Sequence, residues 1–264
     1  MQNWIRWGIR FKLFWYVLKP CDRLFAVPFF GKTYFGNLNS YVDRCAYFFG
    51  AHGREEMMYM GTLVPKDGVV LDIGGNVGHH TLYFSTKAQE VHAFEPDPEL
   101  GNRLLTLMSK NNVTNVILHR VGVGDVHTQI PYYQSTGENK GVGSFVEGLH
   151  PTNEKLSDIE VVRIDDLSFP RVDFVKIDAE GFERRILAGM KETMRRCRPS
   201  IVLEYIKGDF KSEEDFNSMF EGYTAYTIEV NRPLLYFFNR PTAKIVPFIF
   251  DRFRAEVLLK PNKA

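Results

Sequence analysis

Apolar residues along this chain gather in short blocks whose period changes from strand to helix and back. The runs at 69–73, 91–94, 116–118, 172–177 and 200–204 are brief and rich in valine and isoleucine. Such runs predict strands buried on both faces. Between them lie longer segments of helical period. One helix is expected over 77–88 and another over 98–111, where Leu100, Leu104, Leu107 and Met108 share a face. Residues 182–196 read as a single helix with Ile186, Leu187, Met190 and Met194 inward, ended by Pro199. A helix over 53–63 precedes the series and stops at Pro65 and the Lys66-Asp67-Gly68 turn. Ser212 can cap a helix to Phe220, with Asp215 three residues on in a capping-box position. Further strands are expected over 128–133, 160–164, 224–230, 234–238 and 255–259, and residues 137–148 read as a polar, glycine-rich surface loop. Alternation of strand and helix predicts an α/β fold with a doubly wound, mostly parallel sheet and helices on both faces. Ligands in such sheets bind beyond the carboxyl ends of the strands.

That rule ranks the polar residues, because four strand ends carry acids or glycines. After the first strand comes Asp72-Ile-Gly74-Gly75-Asn76-Val-Gly78, a sharp turn into a helix. A dinucleotide turn wants Gly-x-Gly-x-x-Gly, and Asn76 and His79 occupy its second and third glycine positions. This disfavours a pyrophosphate ligand and leaves room for one bearing an ammonium and a carboxylate. Glu95, before Pro96, closes the second strand and can accept from a vicinal ribose diol, while Asp97 can cap the next helix. Asp125, after Gly122-Val-Gly124, can accept an adenine amine; an ordinary turn is the equal alternative. Asp178, Glu180 and Glu183 crowd the end of the fourth motif, and Glu204 ends the next strand. Clustered carboxylates raise one another's pKa, which is how a base is poised near neutrality. Glu183 reads equally well as a first-turn acid facing the helix dipole. His79, His80 and His150 have bland packing or loop readings at least as good as functional ones. No spacing of His, Cys, Asp or Glu matches a dedicated metal site.

Composition narrows the partners. A formal net charge of +1 offers no field for nucleic acid. Cys21, Cys45 and Cys197 are sparse and unpaired in spacing, which suits a reducing, cytoplasmic setting. Residues 1–50 differ from the rest. They are basic and aromatic, with Trp4, Trp7, Phe11 and Trp15 interleaved with Arg6, Arg10 and Lys12. The apolar stretch 13–18 falls far short of the roughly 20 residues that span a bilayer. Residues 1–19 therefore read either as a peripheral membrane contact or as a segment packed on the domain. The expected organisation is an arm at 1–50, a catalytic domain at 51–240 and an extension at 241–264 that completes the sheet.

Taken together, Val70-Leu-Asp-Ile-Gly-Gly-Asn-Val-Gly78, Ala93-Phe-Glu-Pro96, Ile164-Asp-Asp-Leu167, Phe174-Val-Lys-Ile-Asp-Ala-Glu-Gly181 and Ile201-Val-Leu-Glu204 resemble the FkbM-type methyltransferases. The resemblance spans about residues 65–205 and departs mildly at Gly75, where the family usually has alanine. It implies a Rossmann-like class I methyltransferase fold with seven strands, the last antiparallel, and S-adenosylmethionine as cofactor. It also implies O-methylation of a sugar or other hydroxylated metabolite. Asp72, the Gly74–Gly78 turn, Glu95, Asp125 and Asp178 then become cofactor contacts, and Glu180, Glu183 and Glu204, in that order, candidate bases. A nicotinamide-dependent oxidoreductase and a membrane-peripheral binding protein on the same scaffold are the alternatives.

Overall fold

The structure is a computed structural model, and it describes residues 20–136, 142–208, 210–231, 242–250 and 253–262. The expected 234–238 strand and the arm at 1–19 lie outside the described residues. Strands β3 (Val69–Ile73), β4 (Glu90–Phe94), β5 (Val116–His119), β9 (Phe174–Ile177) and β10 (Ser200–Ile206) form the parallel centre of an eight-stranded sheet. β13 (Arg254–Pro261) inserts antiparallel between β10 and β11 (Tyr223–Asn231), and β12 (Thr242–Pro247) pairs on the outer edge of β11. The α/β class holds, with one strand more than the seven expected. β12 is the addition; its half-exposed, weakly alternating pattern gives no strong strand signal.

Chain order along the sheet runs one way from β3 to β5 and the other way from β9 to β10. The reversal at the β3–β9 boundary opens a crevice at the carboxyl ends. Alternate residues of each strand face opposite cores. Leu71, Val175 and Leu203 pack with Ile186, Leu187 and Phe216 on one side. Val70, Phe174 and Val202 pack with Leu82, Leu104 and Met57 on the other.

Helices α3 (His79–Phe84) and α4 (Pro98–Lys110) follow β3 and β4, as the apolar periodicity requires. The single helix expected over 182–196 is two, α5 (Glu183–Ala188) and α6 (Lys191–Cys197). The break is tertiary in origin. Gly189 packs so tightly that a β-carbon there would lie 1.8 Å from the Gly124 carbonyl oxygen. Asp165, from the turn before β9, accepts from Glu192 N and Thr193 N at 3.1 and 2.8 Å and restarts the helix. α7 (Glu213–Ser218) does begin at Ser212, whose hydroxyl accepts from Asp215 N. The Asp215 side chain, however, accepts from Lys211 N and pairs with Arg184 rather than closing a capping box.

The segment 24–61 is built onto the catalytic sheet. β1 (Leu24–Phe29) and β2 (Lys32–Asn37) make a hairpin whose turn residues Phe30 and Gly31 have φ of 47° and 83°, the geometry of a two-residue hairpin turn. Helices α1 (Tyr41–Phe49) and α2 (Arg54–Gly61) follow. Buried Asp43 accepts from Tyr34 Oη at 2.7 Å and pairs with Arg103 of α4. Asn111, ending α4, bonds Thr33 through both N–H and C=O. Phe29 and Tyr34 are fully buried, so the aromatics of this stretch belong to the fold. Among the described residues no helix is long and apolar enough to cross a membrane.

Candidate active site

A cavity of about 680 Å³ lies at the carboxyl edge of the sheet, within the range of small-molecule sites. It gathers the ends of β3 (Gly74–Val77), β4 (Phe94–Pro96), β9 (Asp178–Glu180) and β10 (Glu204), the strand ends that the sequence marked.

The Gly74–Gly78 turn forms because Gly74, at φ +83°, runs against the Asp178 backbone; a β-carbon there would sit 1.8 Å from the Asp178 carbonyl oxygen. Asp178 N in turn donates to Ile73 O at 3.0 Å, so the two strand ends are locked together. Asp72 is fully buried one layer behind the turn and does not line the cavity. Its Oδ2 accepts from Thr81 Oγ1 at 2.6 Å, tying the strand to α3, while Oδ1 has no hydrogen-bond partner. Burial pushes its pKa up.

Glu95 is 4% exposed and faces the cavity. Oε2 accepts from Asn76 N at 2.6 Å and Oε1 from Asp97 N at 2.8 Å. These two bonds leave hydrogen-bonding capacity on the group, so the carboxyl is fixed in place yet able to meet a diol. Burial raises its pKa to about 8. Asp97 caps α4 through Glu99 N and Leu100 N, the separate role expected for it.

Asp125 does not line the cavity. After β6 (Gly122–Val123) the chain leaves the sheet's edge, pinned where Gly124 N donates to Val162 O, and Asp125 pairs with Arg185 at 2.6 Å. Apolar Val121, Val123, Leu100, Phe182 and Ile186 line the wall where an acid was expected. Glu183 is likewise absent from the lining and 1% exposed; Oε1 accepts from Ala179 N at 2.9 Å. It braces the β9–α5 turn, so Glu183→Ala is expected to cost about 1–3 kcal/mol of stability and to leave the pH dependence of turnover unchanged. Thermal unfolding set beside a pH–rate profile checks both.

The remaining carboxylates meet. Oxygens of Asp178, Glu180 and Glu204 lie within 4.8 Å of one another. Burial opposes ionisation of Asp178, but Lys176, paired with it at 2.8 Å, brings its pKa below the usual value. Glu204 Oε1 accepts from Arg254 Nε at 2.6 Å, while burial and Asp178 push its pKa up. Burial, with Asp178 and Glu204 beside it, raises Glu180 to about 7.

His79 accepts from His52 N at 3.1 Å and packs on Phe29 and Tyr34; burial holds it neutral. His150 lies 3.3 Å from Glu180, closer to the chemistry than its loop position suggested. The glycine-rich stretch is also only partly a surface loop: Glu147 and Gly148 are exposed, while the residues just before them turn inward. Gly143, Ser144 and Phe145 line the cavity, and Ser144 is 1% exposed. Arg254 and Glu256 of β13, with Tyr41 and His52, complete the far wall. The two-residue spacing of Arg254 and Glu256 around apolar Ala255 was the available signal for them.

The comparisons fit this arrangement. The family model for the methyltransferase FkbM domain matches residues 72–238. Hexuronic acid methyltransferase AglP of Haloferax volcanii is 33% identical over 137 residues, 52% of this chain and 56% of its own length. The 2-O-methyltransferase NoeI of Sinorhizobium fredii is 28% identical over 162 residues, 54% of this chain and 65% of its own. The chain thus spans less than two thirds of either relative. A solved FkbM methyltransferase from Methylobacillus flagellatus superposes with a TM-score of 0.47 at 16% identity, covering 76% of this chain and 47% of that one. With its matched motifs converging on one cavity, the chain belongs to the FkbM methyltransferase family.

Proposed function

We propose that this protein is an O-methyltransferase whose acceptor is a sugar hydroxyl, with S-adenosylmethionine as donor. The observation that carries the proposal is one cavity lined both by a buried, pre-oriented carboxyl group and by a carboxylate poised near neutrality. The first is Glu95, beside the bare Gly74–Gly78 turn; the second is Glu180. The names of the relatives, one a hexuronic acid methyltransferase and the other a 2-O-methyltransferase, support the acceptor class.

The residues present fit the donor. A phosphate-free ligand suits a turn with Asn76 in place of glycine, and Glu95 keeps hydrogen-bonding capacity for a ribose diol. The apolar Val121–Ile186 wall suits an adenine face, replacing Asp125 in that role. Asp72 acts through the turn it props, and Asp178 presents an ionised carboxylate beside Gly74. When bound, S-adenosylmethionine supplies a methyl group activated on a sulfonium. The chain's own work is to align the acceptor oxygen and to accept its proton. Glu180 is the first candidate for that proton; Glu204, held by Arg254, is the second.

Glu95→Ala is expected to weaken S-adenosylmethionine binding by about 1.5–3 kcal/mol with the fold retained, read by calorimetry. Unchanged affinity would remove Glu95 from the site. A mass-spectrometric screen of glycosides for a gain of one methyl tests the acceptor, and a screen in which only non-sugar hydroxyls react would overturn it.

In this reading the catalytic domain is 51–240, its sheet completed by β12 and β13 of the following extension, with 20–50 packed on it. Peripheral membrane contact through residues 1–19 is proposed from their sequence. Full-length protein is expected to co-sediment in part with anionic liposomes, less so at high salt. Protein that stays in the supernatant at low salt would rule the contact out.

A further inference from the structure

We propose that the proton leaving the acceptor is taken up by His150 and Glu180 acting as one unit, not by a lone carboxylate. This rests on the O-methyl-transfer reading above.

His150 Nε2 lies 3.3 Å from Glu180 Oε2, and both side chains line the cavity at 30% and 15% exposure. They arrive from separate parts of the chain. Glu180 follows β9, while His150 lies shortly before β8 (Asn153–Val162). The stretch carrying His150 is fastened to Glu180 at a second point, where Ser144 Oγ donates to the Glu180 carbonyl at 2.7 Å. Val146 N donates to the same Ser144 hydroxyl at 2.9 Å, and the Val146 and Leu149 side chains lie beside Gly181. Glu180 itself stands at φ +45°, where a β-carbon is disfavoured. A chain needing only a turn would place glycine or asparagine there. Glutamate at this position, latched from outside its own strand, instead aims a carboxylate at the imidazole.

The pairing answers a chemical problem. An isolated imidazole in a buried site holds a new positive charge poorly, and an isolated carboxylate is a weak base towards an alcohol. Set together, the carboxylate fixes the ring's tautomer and stabilises the imidazolium. Burial and the surrounding charges shift the two groups in opposite directions. Facing the pair are Asp178 and Lys176 from β9, Glu204 from β10, Arg254 from β13 and Tyr132 from β7 (Thr128–Ser135). Burial, then Asp178 and Glu204, lift Glu180 to about 7, while burial, then Arg254, lower His150. Such a pair titrates jointly. In the transfer the acceptor oxygen bonds to the methyl carbon as the carbon–sulfur bond breaks, and sulfur keeps that electron pair. The hydroxyl proton passes to the pair, which then carries one proton more and releases it to solvent.

The test uses the full chain as wild type, H150Q, E180Q, E180D and the double variant H150Q/E180Q. Calorimetry with S-adenosylmethionine shows that each is folded. In ¹³C-histidine-labelled protein without acceptor, the His150 ring is followed over about pH 5 to 9. A two-step titration in wild type, collapsing to a single displaced step in E180Q, is expected. Release of S-adenosylhomocysteine is then measured with a panel of methyl hexosides and methyl hexuronosides. Each glutamine variant should lose about 10²–10⁴ in kcat, the double variant no more than either single one, and E180D should recover part of the loss. The pair is overturned by a wild-type ring that titrates in one step, by H150Q within about threefold of wild type, or by losses that multiply in the double variant. If wild type methylates no glycoside in the panel, the sugar reading fails, and the ring titration alone still decides the pairing.

Discussion

Glu180→Gln is expected to lower turnover by about 10²–10⁴ while S-adenosylmethionine affinity stays close to wild type. Glu180 is raised to about 7 by burial and by the neighbouring carboxylates of Asp178 and Glu204. The basic form is the anion, so wild-type turnover should climb as pH rises through about 7 and level off above it. Glutamine removes the carboxylate from the His150–Glu180 pair, so that limb should be displaced and reflect His150 alone. A pH series of kcat, with cofactor affinity measured beside it, checks both halves. An unshifted limb in Glu180→Gln would move the role to Glu204, a strand-end carboxylate that also faces the cavity with a raised pKa.

The second large effect belongs to Gly74→Ala. A β-carbon at this position would stand 1.8 Å from a backbone oxygen, and the backbone is at φ +83°. Positive φ alone costs about 1–3 kcal/mol. The clash adds to it, because Asp178 is held to Ile73 by its own backbone hydrogen bond and cannot retreat without parting β3 from β9. The expected result is a loss above about 4 kcal/mol, in the exceptional range for one substitution, with cofactor binding abolished. Gly75→Ala is the control. Its β-carbon would meet the Leu104 methyl at 3.1 Å, a contact that a side chain can relieve, and alanine is the residue that family members usually carry there. A Gly74→Ala protein with wild-type melting temperature and cofactor affinity would mean that the strand ends are not locked as described.

The strand ends were legible because a parallel strand buried on both faces leaves little freedom for polar residues. An acid or glycine at its carboxyl boundary stands out against Val69–Ile73 or Phe174–Ile177, and topology then brings those boundaries together. Gly74, Glu95, Asp178, Glu180 and Glu204 all reached the cavity on that logic. Asp125 failed it because β6 departs into a separate small sheet with β7 and β8, a turn direction that residues 121–125 do not encode. Glu183 was undecidable from sequence, since an acid in a first helical turn looks the same whether it faces solvent, a dipole or a backbone amide. The split of α5 from α6 depends on Asp165, distant in sequence, and on the Gly124–Gly189 approach. His150 and Ser144 lie in segments with no period to read, and Tyr41 opens a helix whose docking on the cavity the sequence does not encode. Only the folded chain puts them opposite Glu180 and the glycine turn.

The insertion of β13 between β10 and β11 has a consequence for how the molecule is assembled. β3, β4 and β5, and then β9 and β10, can each pair with a partner close in sequence or already in place. β10 must wait for Arg254–Pro261, whose register sets Glu204 opposite Glu256. Until then β10 is an open edge with unsatisfied backbone groups, and its own residues are mostly apolar. Pairing across so long a span of chain is slow, so the interval before β13 docks is when this protein is most exposed to mispairing with another copy. The same strand carries Arg254 and Glu256 into the cavity, so the lining is complete only once β13 has paired.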